Sequence, residues 1–114
     1  MCRTTTVAIR RVGFRAVLSL AGRVEESATH DFVDAFANAI EQGAQEIWLD
    51  LSRVTALHGR ALEGITRVVE LGHEVERRTV VVCPPGPICR ALYEAGVDDY
   101  AEIHESLTAA QRAG

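Results

Sequence analysis

The chain has 114 residues, of which 47% are hydrophobic and 25% charged, and a formal net charge of −4 at pH 7. This size and composition predict one globular domain over residues 1–114 that can bury a core without disulfides or metals. The negative charge argues against a nucleic-acid-binding protein, and no apolar run approaches the roughly 20 residues that span a bilayer. Because the N-terminus lacks an apolar signal core, we expect a cytoplasmic protein that binds neither nucleic acid nor membrane.

Every charged residue before Glu25 is an arginine. These side chains could form a basic patch for an acidic partner, or they could lie on the solvent side of two strands and hinder edge-to-edge association. We favour the second explanation. The residues are Arg3, Arg10, Arg11, Arg15 and Arg23.

The cysteines Cys2, Cys83 and Cys89 are odd in number and match no zinc or redox spacing. We therefore expect free thiols, with Cys83 packed into the core at a strand end. The histidines also lack a metal-binding spacing, so neither a metal nor a cofactor is expected. They are His30, His58, His73 and His104.

Two short apolar runs, residues 7–9 and 16–20, flank a segment centred on Gly13, which predicts a β-hairpin. Residues 25–42 follow as a predicted first helix with one apolar face. Ser27 or Thr29 is expected to cap its start, and Gly43 to end it. The apolar face consists of Phe32, Ala35, Phe36, Ala39 and Ile40.

A nearly continuous apolar run, residues 47–51, predicts a strand buried on both faces. A polar step at residues 52–53 and an apolar patch at 54–57 lead to a second predicted helix over residues 59–77. We place a strand, a loop and a helix start in this stretch, a junction where α/β domains often carry sites. Asp50 at the strand end is expected to accept hydrogen bonds from loop amides.

Gly64 and Gly72 lie inside the second helix, where they are expected to permit close packing against the sheet. Residues 79–83 predict a buried strand parallel to the central one. A short helix over residues 88–95, a last strand at 100–103 and a weakly anchored final helix at 106–112 complete the chain. The order predicts an α/β fold, with about five strands in one mixed sheet and about four helices packed on it.

The run D-L-S-R-V-T-A-L at residues 50–57, followed by a helix, resembles the centre of a STAS domain. This family includes sulfate-transporter tails and bacterial anti-sigma-factor antagonists. In the family pattern the run continues as Asp-Ser-x-Gly-Leu, and a partner kinase phosphorylates the serine at the helix start. Here His58, Gly59 and Ala61 replace the family aspartate, serine and glycine. The resemblance covers nearly the whole chain.

The resemblance implies a non-enzymatic regulatory module that binds a protein and acts in partner-switching control of transcription. The implied partner is an anti-sigma factor with a kinase-like fold. Gly59 has no hydroxyl and cannot be phosphorylated, while Arg60 adds positive charge to the positive end of the helix. The expected partner-binding residues are His58, Gly59, Arg60, Glu63, Glu25 and Ser27.

Other interpretations stay open at the level of sequence. A small enzyme or ligand sensor could use a pocket near His58 and Cys83. Thr55 could replace the missing phosphoacceptor if it lies in the same loop, and the helix starts at Gly59 and Gly86 could bind a phosphate. The second helix or an edge strand could pair two copies into a homodimer.

Overall fold

The computed structural model describes residues 5–113. Its five strands form one mixed sheet in chain order, with the first pair antiparallel and each later pair parallel. The predicted α/β fold, its initial hairpin and the parallel strand after the second helix are thereby confirmed. Cys2 and Arg3, predicted as a free thiol and as part of the basic stretch, lie outside the described residues. The strands are β1 (Thr5–Val12), β2 (Arg15–Val24), β3 (Glu46–Leu57), β4 (Arg78–Val82) and β5 (Glu102–His104).

Four α-helices occur in the described part of the chain, and the first two carry the connections between β2, β3 and β4. Parallel strands need such crossover connections because the chain must return to the same end of the sheet. The first three helices bury their apolar residues in one core cluster, and the fourth packs on the opposite face. They are α1 (Thr29–Glu41), α2 (Gly59–Glu74), α3 (Pro87–Glu94) and α4 (Leu107–Arg112).

Two glycines allow helix α2 to approach its neighbours closely. A Cβ atom built on Gly64 would lie 2.5 Å from Thr29 Cγ2 and 3.0 Å from Phe32 Cζ, so this glycine admits α1. One built on Gly72 would overlap the hydroxyl of Thr79 on β4. The prediction of close packing against the sheet is confirmed at Gly72 and is wrong at Gly64, which packs against α1.

The opposite face of the sheet has a second, smaller core beneath α4. Trp48 is 1% exposed there, and Ala110 of α4 is fully buried. Ala110 and the partly buried Leu107 of this helix both pack on that core. The buried residues that form this cluster with Ala110 are Val17, Trp48, Val80 and Val82.

The start of the first helix differs from the prediction. Residues 26–28 form a 3-10 turn, and α1 begins at Thr29. Neither predicted cap is present, because Glu25 and Ala28 hold the two N-cap positions and make no capping hydrogen bond through their side chains. The inserted turn places Ser27 inside a helical segment, where it cannot cap α1.

The second helix ends three residues before the predicted boundary. Glu76 adopts a left-handed conformation with φ of 58°. Its N–H donates to the His73 carbonyl at 3.1 Å, and the Arg77 N–H donates to the Gly72 carbonyl at 2.8 Å. This Schellman arrangement ends the helix at Glu74 without the glycine that usually marks such a stop.

The last two strands are each shifted from their predicted positions. β4 ends at Val82, although the Cys83 N–H still donates to the His104 carbonyl at 2.9 Å. β5 begins at residue 102 because residues 97–99 form a 3-10 turn whose carbonyl at Val97 accepts from the Tyr100 N–H. Cys83 is 2% exposed, as predicted for a core thiol, and both Cys83 and Cys89 are free.

Candidate functional site: the start of helix α2

The central strand β3 runs without a break to Leu57, which corrects the prediction of a loop after residue 51. Beyond the end of β4, β3 continues beside β2, and its last residue pairs with Val24. This single neighbour keeps residues 52–57 extended even though many of them face solvent. Thr55 therefore lies on a strand and not in a loop beside the helix start.

A bulge in β3 explains the role of Asp50. The pairing with β2 shifts between Ser19 and Ala21, so β3 carries an extra residue near Ser52. The Asp50 carboxylate accepts from the Ser52 N–H at 3.0 Å and from its hydroxyl at 2.7 Å. Asp50 thus accepts a hydrogen bond from an amide that the bulge removes from the regular strand ladder. The sequence predicted the amides of a loop in this role.

His58 is the N-cap of α2. Its Nδ1 atom accepts a hydrogen bond from the Arg60 N–H at 3.1 Å, and its carbonyl accepts from the Leu62 N–H at 2.9 Å. Its own N–H donates to the Val24 carbonyl at 2.8 Å, which ties the helix start to the end of β2. Gly59 is the first residue of the helix, directly after this cap.

The first residues of α2 are open to solvent. His58, Gly59 and Arg60 are all exposed, and a Cβ atom on Gly59 would meet no other atom within 4 Å. Arg60 makes no ion pair with any described residue. The free N–H groups of the helix start add partial positive charge, so this surface is positive and has room for a larger side chain at position 59.

Two adjoining grooves meet at Arg60. The first, the α2 groove, has a volume of about 540 Å³ and follows α2 past Glu63. The second has a volume of about 380 Å³ and is bordered by Glu26 and His30. Thr29 and Arg60 line both. We define the α2-start surface as the exposed residues His58, Gly59, Arg60 and Glu63.

The remaining two predicted residues lie beside this surface. Glu25 directly follows Val24, whose carbonyl accepts the hydrogen bond from the His58 N–H. The Glu25 carboxylate lies 3.6 Å from Arg23 Nη2. Ser27 is exposed in the 3-10 turn, which packs against α2. The structure therefore brings the predicted residues to one end of the molecule.

The family model described as "Mlab, STAS domain" matches residues 7–108 of this chain, which decides the family. The chain belongs to the STAS domain family. No curated protein matches it.

Solved structures share the fold of this STAS domain at low sequence identity. An anti-sigma factor antagonist from Mycobacterium paratuberculosis is 21% identical, with a TM-score of 0.76 over 96% of this chain and 92% of that one. SpoIIAA in its unphosphorylated form is 17% identical, with a TM-score of 0.76 over 95% and 96% of the two chains. The phosphorylated form of the Bacillus cell fate determinant SpoIIAA is also 17% identical, with a TM-score of 0.74 over 96% and 100%.

The structure does not assemble a pocket from His58 and Cys83. Asp50 pairs with Val82, so Cys83 lies one residue beyond that pair and His58 lies eight residues beyond it. At about 3.3 Å per residue, this offset separates the two by on the order of 20 Å along the sheet. Burial first, and the neighbouring Cys89 second, raise the pKa of Cys83 to about 11.

Sequence reasoning missed the groove residues that come from other elements. Thr29 of α1 and Ala95 after α3 reach the α2 groove only because the helices pack together. A further groove of about 430 Å³ on the α4 face is lined by Arg10 and Arg53 and contains none of the predicted site residues. Among residues 5–113, no helix has the length and apolar character required to cross a membrane.

Proposed function

We propose that residues 1–114 form one cytoplasmic STAS module that regulates transcription by binding a protein partner and catalyses no reaction. The α2-start surface, with Glu25 and Ser27 beside it, is the proposed docking surface. By family resemblance, the partner is an anti-sigma factor with a kinase-like fold, and binding releases a sigma factor from it. The observation that carries this proposal is the exposed, positive helix start at His58, Gly59 and Arg60.

The chemistry of position 59 defines the regulatory state. A phosphate on a residue there would add about −1.5 to −2 charges at the helix start. Gly59 has no oxygen to accept a phosphate, and Arg60 next to it is cationic. We infer that the module stays permanently in the form that binds its partner.

The charges of the α2-start surface indicate the kind of partner surface that would bind it. Arg60 and the free N–H groups of the helix start favour an acidic or polar surface. Glu63, one turn further along α2, adds a negative charge that would orient the partner relative to Arg60. A surface of this mixed charge is suited to choosing between related partners, since rim charges affect specificity and association rate most strongly.

A charge substitution at the docking surface tests the proposal. With the full chain as bait in an extract of its source cell, we expect an anti-sigma factor to be recovered. In binding measurements with that purified partner, Gly59→Gln should retain most of the affinity, whereas Gly59→Glu should lose at least about tenfold, or about 1.4 kcal/mol. Both variants have room at position 59, so they differ mainly in charge.

Gln111→Glu is the matched control, because it adds the same single charge on exposed α4, on the other face of the sheet. It should bind like the unaltered chain. Equal binding by Gly59→Glu and Gly59→Gln, or recovery of no anti-sigma factor, would refute the proposed docking surface and partner respectively.

A second experiment asks whether a switch was lost at this position. The double variant His58→Asp with Gly59→Ser restores the family residues. Incubation with a kinase-like partner and ATP should phosphorylate the introduced serine in this variant and leave the His58→Asp, Gly59→Ala variant unmodified. If phosphate is found elsewhere or in neither protein, the partner is not a kinase for this site.

A further inference from the structure

The outer side of α2 carries charges that are not paired within the described part of the chain. They are Arg60, Glu63, Arg67 and Glu70, of which the first three are exposed and the last is partly exposed. None of them takes part in an ion pair among residues 5–113. Glu63 and Arg67 stand four residues apart, a spacing at which helix side chains can meet, yet they form no ion pair here. The four charges are therefore available to a partner outside the chain.

These four charges form one narrow stripe on the helix, which we call the charge stripe. At 3.6 residues per turn, they lie within an arc of roughly 80° on the helix surface. Ala61, Ile65 and Val68 on the opposite side of α2 are buried in the core, so the stripe faces away from the sheet. Leu62 and Thr66 beside the stripe line the α2 groove, which leaves room next to it for the side chains of another molecule.

The order of the charges makes the stripe complementary to itself. Along the helix the signs are positive, negative, positive and negative, at intervals of three, four and three residues. Reversing the direction of such a pattern exchanges its signs and keeps its spacing. In an antiparallel, two-fold symmetric pair of helices, Arg60 of one protomer therefore faces the partner's Glu70, and Glu63 faces the partner's Arg67. Each of these contacts occurs twice, because a two-fold interface repeats every contact.

Other arrangements of two α2 helices bring like charges together. A shift of three residues in one direction places Glu63 against the partner's Glu70, and the opposite shift places Arg60 against the partner's Arg67. A parallel pair places every charge against its own copy. Because like charges in an interface are unfavourable, the stripe selects one orientation and one register.

We propose that a second copy of this chain docks on the charge stripe and forms an antiparallel, two-fold symmetric dimer. The second helix, and not an edge strand, is thus the proposed route to a homodimer. Exposed ion pairs are individually weak and are screened by salt. The dimer is therefore reversible and forms at low ionic strength and high protein concentration.

The dimer has a consequence for partner binding, and this consequence rests on the proposed function. Arg60 and Glu63 belong both to the charge stripe and to the α2-start surface. A second copy on the stripe covers part of the surface proposed to bind the anti-sigma factor, so self-association and partner binding exclude each other. The dimer itself does not depend on that partner and is tested with the chain alone.

Sedimentation velocity of the full chain tests the proposal. In about 50 mM NaCl the dimer fraction should grow with protein concentration, and it should fall in about 500 mM NaCl because salt screens the contacts. Arg67→Glu and Glu63→Arg each place like charges at two contacts of the dimer, so each should weaken self-association at least about tenfold. An equal mixture of these two variants should recover the dimer, since every reversed charge then faces an opposite one.

Glu74→Arg is the matched control. It reverses an exposed charge of the same helix, but in this register position 74 faces Ala56, which precedes α2. It should associate like the unaltered chain. The double variant Glu63→Arg with Arg67→Glu on one chain should also dimerise, which shows that these substitutions do not act through misfolding.

Four results would each overturn the proposal. They are a chain that is monomeric at every concentration, single reversals that leave association unchanged, a loss as large in Glu74→Arg as in Glu63→Arg, and a mixture no more associated than its components. None of these results involves an anti-sigma factor, so they leave the proposed partner standing. Conversely, failure to recover that partner leaves the dimer standing.

Discussion

The two faces of the sheet are covered in different ways. One face lies beneath α1, α2 and α3, and its core contains Phe32 and Phe36, both fully buried. The other face has the short helix α4, and charged side chains cover much of what α4 leaves open. The first face is covered by close apolar packing, whereas the second combines a small apolar cluster with partly exposed ion pairs.

The ion pairs of the second face link four strands, from β2 to β5. Arg78 of β4 bonds both carboxylate oxygens of Glu102, at 2.6 and 2.9 Å, and contacts Glu46 of β3 at 3.1 Å. The Arg15 guanidinium lies 3.8 Å above the ring of Trp48, whose Nε1–H donates to Glu46 at 3.1 Å. The arginine stems and these charges shield the tryptophan where no helix covers it.

The largest expected effect lies on the helix-covered face. Phe36→Ala should lower the free energy of unfolding by about 3–5 kcal/mol, because a fully buried aromatic leaves a cavity in a close-packed core. Urea denaturation measures the loss. Phe14→Ala is the control, since that side chain is 76% exposed, and its effect should stay within about 0.5 kcal/mol. Similar losses for the two variants would contradict the assignment of this core.

A glycine comparison within α2 tests how tightly that face is packed. Gly64→Ala should cost up to about 2 kcal/mol, because overpacking against Thr29 and Phe32 costs about 1–3 kcal/mol and helix propensity returns about 1. Gly59→Ala has open space and should change stability by less than about 0.5 kcal/mol. If Gly64→Ala proves stabilising, α1 and α2 are not in close contact there.

The N-cap of α4 stabilises the helix that packs on the second face. The Ser106 hydroxyl accepts from the Ala109 N–H at 3.0 Å, and Ser106→Ala should cost about 1 kcal/mol. Ser27→Ala serves as the control because Ser27 provides no capping bond to the 3-10 turn or to α1. Equal losses in thermal unfolding would mean that the α4 cap contributes nothing to stability.

The smallest expected effect comes from the ion pairs. The hydrogen bond from Arg78 chiefly lowers the pKa of Glu102 from 4.5 to about 2. Since the folded value lies below the unfolded one, the stabilisation is present above pH 4.5 and is lost as pH falls towards 2. The Glu102 side chain is 43% exposed, so solvent screening keeps the contribution below about 1 kcal/mol.

Glu102→Gln should therefore flatten the dependence of stability on pH between about 5 and 2, measured by urea denaturation across that range. Glu105→Gln is the control, because Glu105 is exposed and makes no ion pair with a described residue. An unchanged pH dependence in Glu102→Gln would show that the pair is not formed in solution.

Local patterns in the sequence were sufficient for most of the elements. The periodic apolar residues of α1 and α2, the β-branched run of β4 and the glycines after helix ends indicated type and order correctly. The errors fall where a neighbour decides the outcome. β3 extends to Leu57 because β2 lies beside it, and α1 starts late because a 3-10 turn packs against α2.

The amino-acid sequence by itself determined the strand and helix order, the resemblance to STAS domains and the absence of a hydroxyl at position 59. These properties depend on side-chain periodicity and on the chemistry of single residues, which are present in the chain before it folds. Tertiary structure alone decided that His58 caps α2 and that Thr29 meets Arg60 in a groove. Each of these pairings depends on distance and direction between elements, which packing fixes and a linear pattern does not contain.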